Sequence, residues 1–498
     1  MNSNESPDSE LTWSRAGFLC LLTAGAVLVH GYHPFVEDAE IYVPGIKKLL
    51  NPQLYPSNQG FFASHASMTL YPNLIAWSVR ITHLPLEWVL LIWFFASIFV
   101  LLAGCWKLGS ICFHSPRAAW GGSVLVASLL TIPVAGTALY IMDQYLNPRS
   151  FSTATAAWIV ASALEQKYFR ATLWVVLTAL VHPLMAVFSL GFILLMAIEK
   201  GIRVSAKSSG ILAAAMLFPP VTPAYLRALD SRSYFFILRW QWFEWLGIFG
   251  PIAILWVFKS WAQRRELDAL RQLCLVSIVF CFLCLAAALV VTIPAPLMRF
   301  AELQPMRGLL LVYVFLFVAG GGLLAEYVLK AKVWRWLVLF LPIGAGMFYA
   351  QRQLFFATHM LELPGRQPEN GWVQTFLWIR DNTPTNAYFA LDPDHMRMPG
   401  EDQHGFRAVA ERSMLADNVK DSGAVTMFPA LAGTWQEQVD AQRGWKEFRL
   451  PDFEKLRDRF GVNWFVLQKM QTAGMDCPEE NSGLYVCRVP ESAKPGEQ

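Results

Sequence analysis

Three carboxylates, Glu37, Asp38 and Glu40, come directly after an apolar run that ends near His30, and they open a polar stretch over residues 32–85. Two chemistries suit an acid at that place. Asp38 can take the proton of an acceptor hydroxyl as it attacks an electrophilic carbon, the general-base role. It can also share a divalent cation with Glu40, since hard cations are held through oxygen. Residues two apart project together from extended backbone and not from a helix, so the spacing suits a single base better than a metal-binding pair. The plainer alternative is structural: acids at helix starts cap and complement the helix dipole.

Cations stand in the other polar stretches that border apolar runs. Arg149 follows Asn147-Pro148, His182 precedes Pro183, and Arg299 and Arg307 flank Glu302. Arginine stays charged and binds phosphate oxygens two at a time. The candidate site is therefore Asp38 as catalytic base, with Glu40, Arg149, His182, Arg299 and Arg307 binding a substrate that carries a lipid-linked phosphate or pyrophosphate. Taken singly, each of these also reads as a solvated loop residue or interfacial anchor, and His182 as a helix cap. Phosphate-cradling Gly-rich loops, His-Glu-x-x-His and Gly-x-Ser-x-Gly are missing from the sequence.

The elements that would position these residues are membrane helices. Of 498 residues, 55% are hydrophobic and 15% charged, against about 25% charged in soluble domains. A formal net charge of +3 gives no electrostatic footprint for nucleic acid. Apolar runs near 13–31, 86–106, 118–136, 150–165, 170–182, 184–199, 208–221, 245–259, 270–293, 308–328 and 334–350 approach the length of a bilayer span. About eleven spans follow, and the pair around His182-Pro183 reads as a broken or re-entrant one. Acidic residues precede Arg15 and no small-residue cleavage pattern follows the first run, so it reads as a retained helix. Lys107, Arg117, Lys167, Arg170, Lys200, Arg264, Arg271 and Lys330 sit in short loops on one face, the cytoplasmic one by the positive-inside rule. The N-terminus is then cytoplasmic and the C-terminal region extracytoplasmic. Within the first outer loop, Tyr42, Ile46, Leu49 and Leu50 form one helical stripe opposite Lys47 and Lys48, and Leu74, Trp77 and Ile81 form another; both read as helices lying on the bilayer. Gly320-Gly321-Gly322, inside an apolar run, permits close helix packing.

Residues 351–498 are more highly charged. Helix patterns over 372–380 and 452–460 precede strand patterns over 388–391 and 463–467, and a last strand reads over 484–489. Such helix–turn–strand units predict a small α/β domain after a transmembrane domain of residues 1–350. Cys20, Cys105, Cys112, Cys274, Cys281 and Cys284 fall in or beside apolar runs and read as packing residues. Cys477 and Cys487 are the remaining pair, able to form a disulfide in an oxidising compartment or to stand as two thiols.

A first helix, an acid just outside it and two surface-lying helices before the second span resemble the GT-C superfamily of membrane glycosyltransferases. More narrowly, Asp38-Ala39-Glu40-Ile41-Tyr42-Val43-Pro44, Leu54-Tyr55-Pro56, Leu146-Asn147-Pro148-Arg149 and Val181-His182-Pro183 are similar to a group of bacterial multipass proteins related to that superfamily. So are Trp378-Ile379-Arg380-Asp381-Asn382-Thr383-Pro384 and Phe406-Arg407 with Arg412 in the C-terminal region. The broad resemblance implies transfer from a polyprenyl-phosphate-linked sugar to a glycan or lipid acceptor, outside the bacterial cytoplasmic membrane, with Asp38 as the first-loop catalytic acid. Asp38-Ala39-Glu40 stands where an Asp-x-Asp would otherwise be found, and the Trp-Trp-Asp of oligosaccharyltransferases is missing. The narrower resemblance implies no particular reaction. A non-catalytic membrane protein, either a GT-C-shaped scaffold with a partner-binding outer domain or a transporter, is the second reading. Charge-poor span interiors argue against the transporter.

Overall fold

The computed structural model describes residues 11–201, 222–468 and 474–489; the span expected over 208–221 lies outside them. The chain divides into two compact units. The first comprises the described parts of Met1–Tyr32, Leu90–Pro220 and Arg232–Gln351, and the second those of His33–Val89, Val221–Ser231 and Arg352–Gln498. The polar stretch after the first apolar helix therefore belongs with the C-terminal residues.

The first unit is helical. It holds α1 (Trp13–His30), most of α5 (Leu86–Cys112), α6 (Pro116–Ser128), α7 (Pro148–Leu164), α8 (Tyr168–Val181), α9 (Pro183–Glu199), α11 (Trp242–Arg264), α12 (Asp268–Thr292), α13 (Leu309–Leu323) and most of α14 (Val333–Leu354). Among the described residues six helical segments are long and apolar enough to cross a membrane: α1, α5, α11, α12, α14 and the segment Leu297–Leu329 that contains α13. The eleven expected spans are not all matched by helices of that length. The run at 118–136 yields only the 13 residues of α6, about 20 Å at 1.5 Å per residue, and α8 and α9 are shorter apolar helices on either side of His182. Helices α6 and α13 meet through glycine. A Cβ on Gly121 would strike the Gly321 carbonyl oxygen, and one on Gly322 the Phe113 ring, so only bare backbone allows this approach.

The second unit joins α2 (Ala39–Leu50), α3 (Gly60–Met68), α4 (Tyr71–Thr82) and α10 (Pro223–Asp230) to an α/β fold. Its sheet runs β2-β1-β3-β5-β4, made of β1 (Tyr388–Leu391), β2 (Ser413–Met414), β3 (Trp464–Leu467), β4 (Asp476–Asn481) and β5 (Leu484–Arg488). Strands β2, β1 and β3 are parallel; β5 is antiparallel to both β3 and β4. Side chains alternate across a strand, and the two faces take different helices. Phe389, Leu391, Trp464, Val466 and Val486 pack with Trp372, Phe376 and Ile379 of α15 (Gly371–Asn382) and Phe406 of α16 (Phe406–Ala410). Tyr388, Ala390, Phe465, Leu467 and Cys487 pack with Trp445 and with Phe453 and Leu456 of α19 (Leu450–Phe460). Helices α17 (Asp421–Met427) and α18 (Ala432–Ala441) fill the β2–β3 crossover. The expected strands and the helices at 372–380 and 452–460 are found within a few residues of their boundaries, while β2, β4, α16, α17 and α18 carried too little periodicity to announce themselves. Cys477 and Cys487 are disulfide-bonded across β4 and β5.

One expectation for the first loop needs correction. Lys47, assigned to the polar side of a bilayer-lying helix, is buried and donates to the Ala408 carbonyl at 2.8 Å and to Glu411 at 2.7 Å. Ile41, Val43, Pro44 and Ile46 are buried with it, so α2 packs into its own unit around most of its surface.

Candidate functional site

Asp38 is the N-cap residue of α2, a position where an anion suits the exposed amides and the dipole. Its carboxylate, 31% exposed, pairs with Lys420 at 3.0 Å, and Lys420 also bonds Glu37. Lys420 lies just before α17 and its side chain is only 8% exposed, so the ammonium is held in place between the two acids. Within the field of Asp38 lies His65 of α3, whose ring meets Phe428 and Tyr42 edge-on. Burial pulls that imidazole down to about 4 despite Asp38, so it is neutral.

Glu40, two residues on, has the opposite environment. Expected among the substrate-binding residues, it is fully buried: Oε1 accepts the Arg407 amide at 3.1 Å and the Arg407 guanidinium at 3.3 Å, and Oε2 accepts the Ala408 amide at 3.0 Å. Three donors bind it into the N-terminus of α16, and no face remains for a solvent-borne ligand. Gly405 makes the approach possible, because a Cβ there would collide with Glu40. Arg407 in turn grips Asp421 through two bonds of 3.0 and 2.6 Å, and the Tyr55 hydroxyl donates to its carbonyl at 2.9 Å. Desolvation works against the Arg407 charge, but Asp421 and Glu40 hold its pKa above the ordinary arginine value.

A second buried group ties the start of the loop to the C-terminal residues. Glu362 accepts from His33 Nδ1 and His404 Nε2, both at 3.0 Å. Burial alone would raise Glu362, yet the two imidazoles bring it down to about 2; burial opposes the His404 charge, yet Glu362 lifts it to about 9. This is a buried ion pair with a second imidazole on the same carboxylate.

In the first unit, Asn147 caps α7 with Pro148 at its first turn, and Arg149 pairs with Asp143 at 2.6 Å. His182 caps α9, its Nδ1 accepting the Met185 amide at 3.4 Å, so the capping role open to it in the sequence is realised. Arg149 and Arg307 lie within electrostatic range of His182. Arg307 also lies over Tyr234 and Arg299 over the neighbouring Phe300 ring. Among the described residues no three His, Cys, Asp or Glu side chains converge as a metal site.

Sequence reasoning missed Lys420, Asp421, Glu362 and His404. A signal existed for Arg407, whose neighbours Phe406, Ala408, Val409 and Ala410 are apolar: an arginine in such a run is buried and must be paired. For the acids and the lysine no local signal exists, since their partners lie beyond any helix or strand repeat, from 14 positions away for Asp421 to 383 for Lys420. Neither a protein-family model nor a curated protein matches this chain.

Proposed function

We propose that this chain is a membrane glycosyltransferase drawing on a polyprenyl-phosphate-linked sugar at the outer face of the bacterial cytoplasmic membrane. In this reading the N-terminus is cytoplasmic, the second unit extracytoplasmic, and the acceptor a glycan or lipid hydroxyl. Asp38 takes the hydroxyl proton as the acceptor oxygen attacks the anomeric carbon; the bond from that carbon to the phosphate oxygen breaks and the polyprenyl phosphate leaves with the electron pair.

The observation that carries the reading is the difference between neighbouring acids. Glu40 is sealed into the fold, whereas Asp38 keeps part of its carboxylate exposed next to a fixed ammonium and a neutral imidazole. The test is Asp38→Asn, with transfer from a labelled polyprenyl-phosphate sugar followed on the purified full chain. Loss of about 10²-fold or more, the usual scale of a general base, with unchanged thermal stability is expected; undiminished transfer sinks the proposal.

The second reading, a non-catalytic scaffold, draws on the same lysine. Lys420 bonds Glu37 and Asp38 together, so both acids serve as a clamp inside the unit. It is favoured if the wild-type chain transfers no sugar and Asp38→Asn changes only stability.

A further inference from the structure

The second unit carries a cleft of about 300 Å³ away from the residues considered above, a volume at the lower end of small-molecule sites, which run from about 300 to 1,000 Å³. Its floor comes from the segments that leave the parallel strands: Asp392 and Asp394 directly follow β1, and Asn418 follows β2. Ligands of open parallel sheets sit outside the carboxyl ends of the strands. The turn after α18, with Arg443, Trp445, Lys446 and Glu447, and Arg227 of α10 complete the lining.

The lining decides the chemistry. Three cations (Arg227, Arg443, Lys446) face three acids (Asp392, Asp394, Glu447), so neither a phosphate nor a metal cation is matched by the charge. Hydrogen-bonding capacity remains on both sides. Asp392 is buried; its Oδ1 accepts the Asp394 amide at 2.9 Å, and its carboxylate lies within the field of Lys446. Asn418 donates through Nδ2 to Asp394 at 3.0 Å, which leaves its Oδ1 as an acceptor. Arg227 and Arg443 each spend one Nη on Asp440, at 2.6 Å in both cases, which fixes the two guanidiniums and leaves further N–H groups. A hydroxyl both donates and accepts. A ligand rich in neutral hydroxyls satisfies this mixture of fixed acceptors and donors where a single-sign ion meets as much repulsion as attraction. Trp445, packed on Phe448 and Phe453, adds one rigid apolar wall.

We infer that this cleft is a binding site for a neutral saccharide of one or two rings. The inference stands on the cleft alone and does not require the chain to transfer sugar.

The experiment uses the full chain in lipid nanodiscs, because glycoside detergents would compete. Saturation-transfer difference NMR and calorimetry measure binding of glucose, galactose, N-acetylglucosamine, lactose and maltose, with inorganic phosphate and Mg²⁺ alone as comparisons. At least one sugar is expected to bind with Kd at or below about 1 mM, near −4 kcal/mol, and more tightly than phosphate or Mg²⁺. Asp392→Asn keeps the side-chain volume and is expected to weaken that binding tenfold or more. Arg443→Ala, at a side chain 72% exposed and so without consequence for folding, is expected to weaken it three- to tenfold with unchanged melting temperature. The inference is overturned if none of the sugars binds with Kd at or below about 1 mM, if phosphate or Mg²⁺ binds more tightly than every sugar, or if binding survives Asp392→Asn or Arg443→Ala unchanged.

Discussion

Glu40 and Arg407, 367 positions apart in sequence, form an ion pair with neither side chain open to solvent. Without Glu40 the guanidinium keeps its two bonds to Asp421, but the buried amides of Arg407 and Ala408 lose their acceptor, at a cost of about 1–3 kcal/mol. Glu40→Ala is expected to destabilise the second unit on that scale, read by urea denaturation and limited proteolysis of the full chain. Arg407→Met, which strips both Glu40 and Asp421 of their buried cation, should cost more, about 3–5 kcal/mol.

Lys420 holds Glu37 and Asp38 at the start of α2. The acids are 39% and 31% exposed, so solvent screens the pairing and the expected loss for Lys420→Met is roughly 1 kcal/mol or less. A thermal shift assay in nanodiscs measures it; a loss as large as that of Glu40→Ala would mean that the lysine is a structural keystone and not a local clamp.

The His33–Glu362–His404 group makes stability pH-dependent. His404 is raised from 6.5 to about 9, so its contribution is complete below pH 6.5 and is lost as pH rises toward 9. Glu362 is lowered from 4.5 to about 2, so its contribution is complete above pH 4.5 and is lost as pH falls toward 2. The pair is therefore fully stabilising between about pH 4.5 and 6.5. Denaturation midpoints measured from pH 5 to 9 should fall across the alkaline half, and His404→Gln should flatten that fall.

Gly321 abuts the backbone of Gly121 and Gly122, whereas a Cβ added to Gly17 of α1 would meet nothing within 4 Å. Gly321→Ile is expected to cost at least about 1–3 kcal/mol by overpacking, seen as a lower melting temperature. Gly17→Ala should leave the melting temperature within a degree or two.

The Cys477–Cys487 bond closes a loop with a sequence separation of 10. Chain entropy assigns such a crosslink about 2–3 kcal/mol. Replacing both cysteines by serine should lower the stability of the second unit by up to that amount and abolish its sensitivity to reductant.

Much of the architecture is local information. The apolar composition, the helices flanking His182-Pro183, the strands around Phe389, Phe465 and Val486, and the pairing capacity of Cys477 with Cys487 follow from residue type and periodicity over a few turns or strand repeats. The count of spans is not local information in the same way: among the described residues six helical segments have spanning length, and the apolar run at 118–136 is an α-helix only to Ser128.

The fate of the first-loop acids was another matter. Asp38 and Glu40 are chemically alike and two residues apart, and nothing in their neighbourhood says which would be sealed and which left open. That was decided by Gly405, the amides of Arg407 and Ala408, and Lys420, which reach the loop from the far end of the chain. Burial and charge pairing depend on what comes within a few ångströms in space. Composition and periodicity register only what is near in sequence, so the apolar helical character was determined by the sequence itself and the separate environments of two neighbouring carboxylates by the tertiary structure alone.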